Sequence, residues 1–203
     1  GKQVLYNALM SSINPGDEVI IPAPYWVSYP DMVALAGGIP IIVEGKEINN
    51  FKVMPEDVKN KISDKTKWII INSPSNPTGS SYTKNELKDL GNLLLNFENI
   101  FIMSDDIYEK IIYDDFKFYT LAEVVPELKD RILTVNGVSK AYAMTGWRIG
   151  YAGGPKPLIS AMAKLQSQST SNPSSISQAA ALAALTGPEE FLSETNNKFR
   201  IRR

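Results

Sequence analysis

The 203-residue chain is 43% apolar and 21% charged with a formal net charge of −1, a balance that fits a globular domain and leaves no field to draw a polyanion. Cysteine and histidine are both absent, which excludes disulfides, zinc–thiolate sites and any Ser-His-Asp or Cys-His machinery, so a general base must be a carboxylate, a tyrosine or a lysine. No apolar run approaches the roughly 18 residues of a membrane span and no secretory signal is visible, so neither nucleic acid nor membrane is an expected partner and a cytoplasmic location is expected.

Helical spacing begins at once, over Gln3 to Ile13. Asn14-Pro15-Gly16-Asp17 is a turn that feeds a strand near Glu18–Ile21. A helix over Tyr25–Ala36 is stopped by Gly37-Gly38, and a short strand near Pro40–Val43 follows. Pro55–Lys61 reads as a helix and Lys67–Asn72 as a β-branched strand. The clearest helix covers Lys84–Phe97. Thr83 and Glu86 have the spacing of a capping box, and Leu87, Leu90, Leu94 and Phe97 make an apolar stripe. Strands near Ile100–Ser104, Ile132–Asn136 and Ile149–Ala152 come next, with helices near Lys156–Ser167, Ser174–Leu185 and from Glu189 onward.

This alternation predicts an α/β fold, a mainly parallel sheet flanked by helices. The strands ending at Asn72, Ser104 and Asn136 are expected to be parallel neighbours joined by right-handed crossovers. Residues 1–203 read as one domain without repeats or linkers. Both ends lie inside helical patterns, so further sequence is expected on either side. The basic tail Lys198–Arg203 is read as the solvated face of a helix, without a ligand role.

Ligands of open α/β sheets bind outside the carboxyl ends of the strands. Three segments put unusual polar residues there: Asn72 to Gly79, Ser104 to Tyr108, and Asn136 to Gly150, which contains Lys140 and Arg148. An amine that can form an imine, a carboxylate that can pair with a protonated ring nitrogen, and a guanidinium for a phosphate suit a cationic aromatic ring carrying a phosphate. Trp26 offers such a ring a flat face. Singly, each residue has a plainer explanation. Asp105 could cap a helix, Asn76-Pro77-Thr78-Gly79 is an ordinary turn, and Lys140 could be one solvated lysine among many. Their joint occurrence at one sheet edge is what favours a site.

NSPSNPTG (Asn72–Gly79), SDDIYE (Ser104–Glu109) and NGVSKAYAMTGWRIGYAGGP (Asn136–Pro155) resemble the class I and II aminotransferases, pyridoxal-phosphate enzymes of fold type I. APYWVSYPDM (Ala23–Met32) resembles their bacterial aspartate branch, which includes aspartate/prephenate enzymes. The resemblance covers the whole chain and implies its cofactor-binding large domain, with an N-terminal arm and a C-terminal small domain outside these residues. It implies pyridoxal 5'-phosphate as cofactor, amino acids and 2-oxo acids as substrates, and a homodimer. By the same resemblance Lys140 is the lysine that holds the cofactor as an imine and moves the proton, and Asp105 pairs with the ring nitrogen. Asn76 and Tyr108 bond the phenolic oxygen, and Asn76 also reaches the substrate carboxylate. Trp26 stacks on the ring and borders the substrate, while Arg148 binds the phosphate with the backbone N–H groups of Gly1 and Lys2.

The chain departs from that pattern in places. Gly137 stands where many relatives carry a phosphate-binding hydroxyl, and Asp106 stands where glutamate is frequent. The resemblance also places the arginine for the substrate α-carboxylate and a partner-subunit tyrosine outside residues 1–203. Those residues alone are therefore expected to fold without being a competent transferase. Asp105 is expected to be the buried carboxylate facing the crevice and Asp106 a structural one. A pyridoxal-phosphate C–S lyase and a non-catalytic regulatory module on the same fold stay open as alternatives.

Overall fold

A computed structural model describes residues 1–203. Six strands, β1 (Glu18–Ala23), β2 (Ile39–Glu44), β3 (Thr66–Asn72), β4 (Phe101–Asp105), β5 (Ile132–Gly137) and β6 (Gly150–Gly153), form one sheet in the order β2-β1-β3-β4-β5-β6. All neighbours are parallel except β6, which runs antiparallel to β5. The expected parallel neighbours β3, β4 and β5 therefore sit side by side at the centre of the sheet. Eight helices accompany them: α1 (Lys2–Ser12), α2 (Ser28–Leu35), α3 (Pro55–Lys59), α4 (Lys84–Leu95), α5 (Leu121–Val124), α6 (Lys156–Ser167), α7 (Ser175–Thr186) and α8 (Glu190–Arg202).

Side chains on a strand alternate between faces, and that alternation builds two cores from one sheet. Ile69 and Ile71 of β3 point to one face and meet Leu87, Leu90 and Leu94, the stripe on α4. Trp68 and Ile70 point to the other and meet Leu5 and Leu9 of α1, Val33 of α2 and Met162 of α6. Continuous apolar runs such as Trp68-Ile69-Ile70-Ile71 are what a strand buried on both faces requires. The indole N–H of Trp68 donates to the Ser12 hydroxyl at 2.9 Å, which anchors the end of α1 beneath the sheet.

The capping box at Thr83 and Glu86 forms as expected, with the Thr83 N–H donating to the Glu86 carboxylate at 2.7 Å. Several boundaries differ from the sequence reading by one to three residues, and two of them have a visible cause. The α2 helix begins at Ser28 rather than Tyr25, because its first turn closes by a tight bond from the Tyr29 N–H to the Trp26 carbonyl. Tyr25 and Trp26 are thereby left in the approach loop. At the other end of α4, the helix stops at Leu95 and Arg131 donates to the carbonyls of Leu94, Phe97 and Ile100. That guanidinium satisfies helix-end acceptors that would otherwise lack partners. Periodicity did not reveal α5 or the 3-10 turns at Glu47–Asn49, Pro126–Arg131 and Thr145–Trp147, which are too short to display a repeat. No helix is long and apolar enough to cross a membrane.

Candidate active site

The carboxyl ends of β3, β4 and β5 and the amino end of α1 enclose a cleft of about 270 Å³. Asp105 is the last residue of β4 and Asn76 lies in the turn after β3; Tyr108 follows β4, and Lys140 and Arg148 follow β5. All five line the cleft, together with Gly1, Lys2 and Trp26. Every residue that the sequence reading placed at a site is thus brought to one hollow.

Asp105 is 5% exposed. One carboxylate oxygen accepts a hydrogen bond from the Tyr29 hydroxyl at 2.7 Å, and the other faces the Ile107 N–H at 3.4 Å. Burial pushes its carboxyl above the usual range, and the bonds from Tyr29 and Ile107 and the nearby charges of the Gly1 amino group and Lys140 oppose that rise. No lysine or arginine forms a salt bridge with it. A buried carboxylate without an ion pair gains from a positive charge placed in contact with it, and a protonated ring nitrogen in the cleft would supply one. The plainer explanation of Asp105 as a helix cap fails, because a turn and not a helix follows it.

Asp106 corrects the expectation that burial would distinguish the two carboxylates, since it is only 3% exposed. Alternation along the chain turns it away from the cleft, where the Ser104 hydroxyl donates to it at 2.8 Å. Burial pushes its carboxyl up to about 7. The direction each faces, and not exposure, separates the pair.

Around this floor, Trp26 meets Tyr29 edge-on with ring centroids 5.4 Å apart. The Lys2 ammonium lies 4.8 Å from the Trp26 ring centroid and the Lys140 ammonium 5.6 Å from that of Tyr108. Lys140 is exposed at the rim, so its amine can be reached. Arg148 adopts a left-handed backbone (φ 58°), and its guanidinium donates to the Thr145 carbonyl at 2.6 Å. A non-glycine residue holds that conformation only when its surroundings over-determine it, and such strain gathers at functional sites.

Two glycines explain the close packing beside Arg148. A Cβ on Gly150 would lie 1.8 Å from the Gly1 nitrogen, so only glycine lets β6 approach the start of α1. A Cβ on Gly137 would lie 2.9 Å from the Ile149 carbonyl oxygen. A residue larger than glycine has no room here.

The sequence reading assigned no role to Tyr29 or Asn72, which also line the cleft. Tyr29 lies three residues beyond Trp26, a helical spacing that could have linked the two. Tyr29→Phe removes the shortest bond to the Asp105 carboxylate, and a cost of about 1–3 kcal/mol in folding stability is expected. The cost should shrink as pH falls and Asp105 protonates, because a neutral acid is the weaker acceptor. Urea denaturation of both proteins across that pH range measures it, and a pH-independent difference would show that Tyr29 contributes by packing alone.

Residues 1–203 match along their whole length the family described as aminotransferase class I and II. The chain belongs to that family. It is 62% identical to a probable aspartate/prephenate aminotransferase from Rickettsia conorii, over 95% of this chain and 48% of that protein. It is 60% identical to the aspartate/prephenate aminotransferase from Cereibacter sphaeroides, over 100% of this chain and 51% of that protein. The crystal structure of the aspartate aminotransferase from Rhizobium meliloti superposes with a TM-score of 0.98 at 52% identity, covering 99% of this chain and 50% of that one. The chain spans about half the length of the curated relatives it matches.

Proposed function

We propose that the protein containing these residues is a pyridoxal-phosphate-dependent aspartate aminotransferase. It moves an amino group between L-aspartate or L-glutamate and a 2-oxo acid, with 2-oxoglutarate as acceptor and prephenate as a second one. Residues 1–203 would be its cofactor-binding large domain, in a homodimer of cytoplasmic location. The observation that carries the reading is the buried Asp105 carboxylate, free of any salt bridge, in the same cleft as the accessible Lys140 amine. Family membership and the relatives' names support the reaction class.

When bound, pyridoxal phosphate supplies an electron sink for the carbanion that loss of the substrate α-proton leaves. The chain's own residues supply the rest. Asp105 holds a positive charge at the ring nitrogen. The Lys140 amine would hold the cofactor and would take and return the substrate proton. Asn76 and Tyr108 orient the ring through its phenolic oxygen, and Trp26 gives it a face. Asn76 also orients the substrate carboxylate, which Trp26 borders. The Arg148 fork binds the phosphate with the Gly1 and Lys2 N–H groups, where the start of α1 favours an anion.

The test is an assay of the full-length protein with L-aspartate and 2-oxoglutarate. Oxaloacetate is the expected product. Pyruvate from a β-substituted amino acid, with no oxaloacetate, would make the protein a lyase. Residues 1–203 alone should show no turnover, because the clamp on the substrate α-carboxylate that fixes near-attack geometry lies in the small domain.

A further inference from the structure

Asn72 ends β3, half-buried in the wall of the cleft and in register with Asp105 across the β3–β4 pair. Its side chain makes two hydrogen bonds of opposite sense. Nδ2 donates to the main-chain oxygen of Asp105 at 2.8 Å, and Oδ1 accepts from the Asn76 N–H at 2.8 Å. A carboxamide offers a donor and an acceptor together without charge, which neither a carboxylate nor an apolar side chain of this length can do.

The turn that carries Asn76 is tied at its far end to the Asn50 carbonyl by the Ser80 hydroxyl, and its remaining bonds close it on itself. The Gly79 N–H donates to the Ser75 carbonyl at 2.9 Å and the Ser75 N–H to the Ser80 carbonyl at 2.8 Å. Those bonds shape the turn without setting its height above the sheet. The Asn72 amide does set it, because it grips the Asn76 backbone from a strand whose own position is fixed by pairing. The same amide grips the backbone of the residue whose carboxylate forms the cleft floor.

We infer that Asn72 is a positioning residue, holding Asn76 and Asp105 at a fixed offset so that groups on different elements meet one ligand together. This rests on the roles proposed for Asn76 and Asp105. Asn72 acts through them and takes no part in the chemistry. A misplacement of about 1 Å at such a site costs on the order of a hundredfold in rate, so a tether of two bonds has an effect large enough to read.

A double-mutant cycle in the full-length protein tests it. Asn72→Ala, Asn76→Ala and the double variant are compared with the parent by kcat/KM for L-aspartate and by the dissociation constant for pyridoxal phosphate. Each single variant is expected to lose about tenfold in kcat/KM, the effect of a buried hydrogen bond left unmade. The double variant should lose clearly less than the product of the two single losses, because coupled residues are not additive. Cofactor affinity should follow the same non-additive pattern. Multiplying losses, or a fall in melting temperature with unchanged kinetics and cofactor affinity, would overturn the positioning role. Wild-type behaviour of Asn76→Ala would instead remove the role proposed for Asn76 itself, and the inference with it. If Asn72→Ala does not fold, Asn72→Ser enters the same cycle with the same expectations, since a hydroxyl is too short to reach both partners.

Discussion

Lys140→Ala in the full-length protein is expected to lower transamination by at least about 10⁴-fold, the upper range for a positioned proton-transferring group. It should also abolish the covalent attachment of pyridoxal phosphate that borohydride makes permanent. The fold should survive. Lys140 is exposed and makes no side-chain hydrogen bond or salt bridge, so its removal should change stability by no more than about 0.5 kcal/mol. Lys2 is the control, because it is the other lysine that lines the cleft. Its ammonium sits over Trp26, whereas that of Lys140 sits over Tyr108. Lys2→Ala should keep the covalent link. Peptide mapping after borohydride reduction decides between them, and a labelled Lys2 peptide with an unlabelled Lys140 would transfer the chemistry to the amino end of α1.

The two adjacent aspartates should separate just as sharply, by different measurements. Asp105→Ala removes the charge facing the cleft and is expected to cut turnover by about 10³-fold, the scale of losing one preorganised electrostatic contact. Asp106→Asn should leave turnover within about threefold, because that carboxyl faces Ser104 and not the cleft. Its effect lies in stability. The Asp106 carboxyl is pushed up to about 7 by burial, against about 3.9 in an unfolded chain. Between those values the unfolded state has released a proton that the folded state keeps, so stability falls as pH rises through that window. The full benefit is present below the unfolded value and is gone above about 7. Asp106→Asn should flatten this fall by on the order of 2–4 kcal/mol, seen as urea midpoints at acid and neutral pH. Equal losses of turnover from the two substitutions would place the ring-nitrogen partner one residue away from Asp105.

Much of this molecule was determined by local sequence. Strands β1, β2, β3 and β5 are short runs rich in β-branched residues, and α4 announces itself through Thr83, Glu86 and a leucine stripe, because caps and periodicity act over a few residues. Six of the candidate residues were legible because each of their motifs follows a strand, and a parallel sheet carries such ends to one edge, while Gly1 and Lys2 at the start of α1 came from the resemblance alone. What the sequence leaves open depends on distance. The Tyr29–Asp105 bond joins residues 76 apart, the Arg131 cap on α4 reaches back 37 residues to Leu94, and the Asn72 amide meets Asp105 33 residues on. Such contacts exist only once strand order and register are set, and no residue type or spacing near any of them encodes its partner. The same holds for the antiparallel β6, for the start of α2 at Ser28, and for the burial of Asp106 beside Asp105. Alternation along the chain dictates that two neighbouring side chains leave it in opposite directions. Only the tertiary structure decides that one direction is a cleft and the other a closed core.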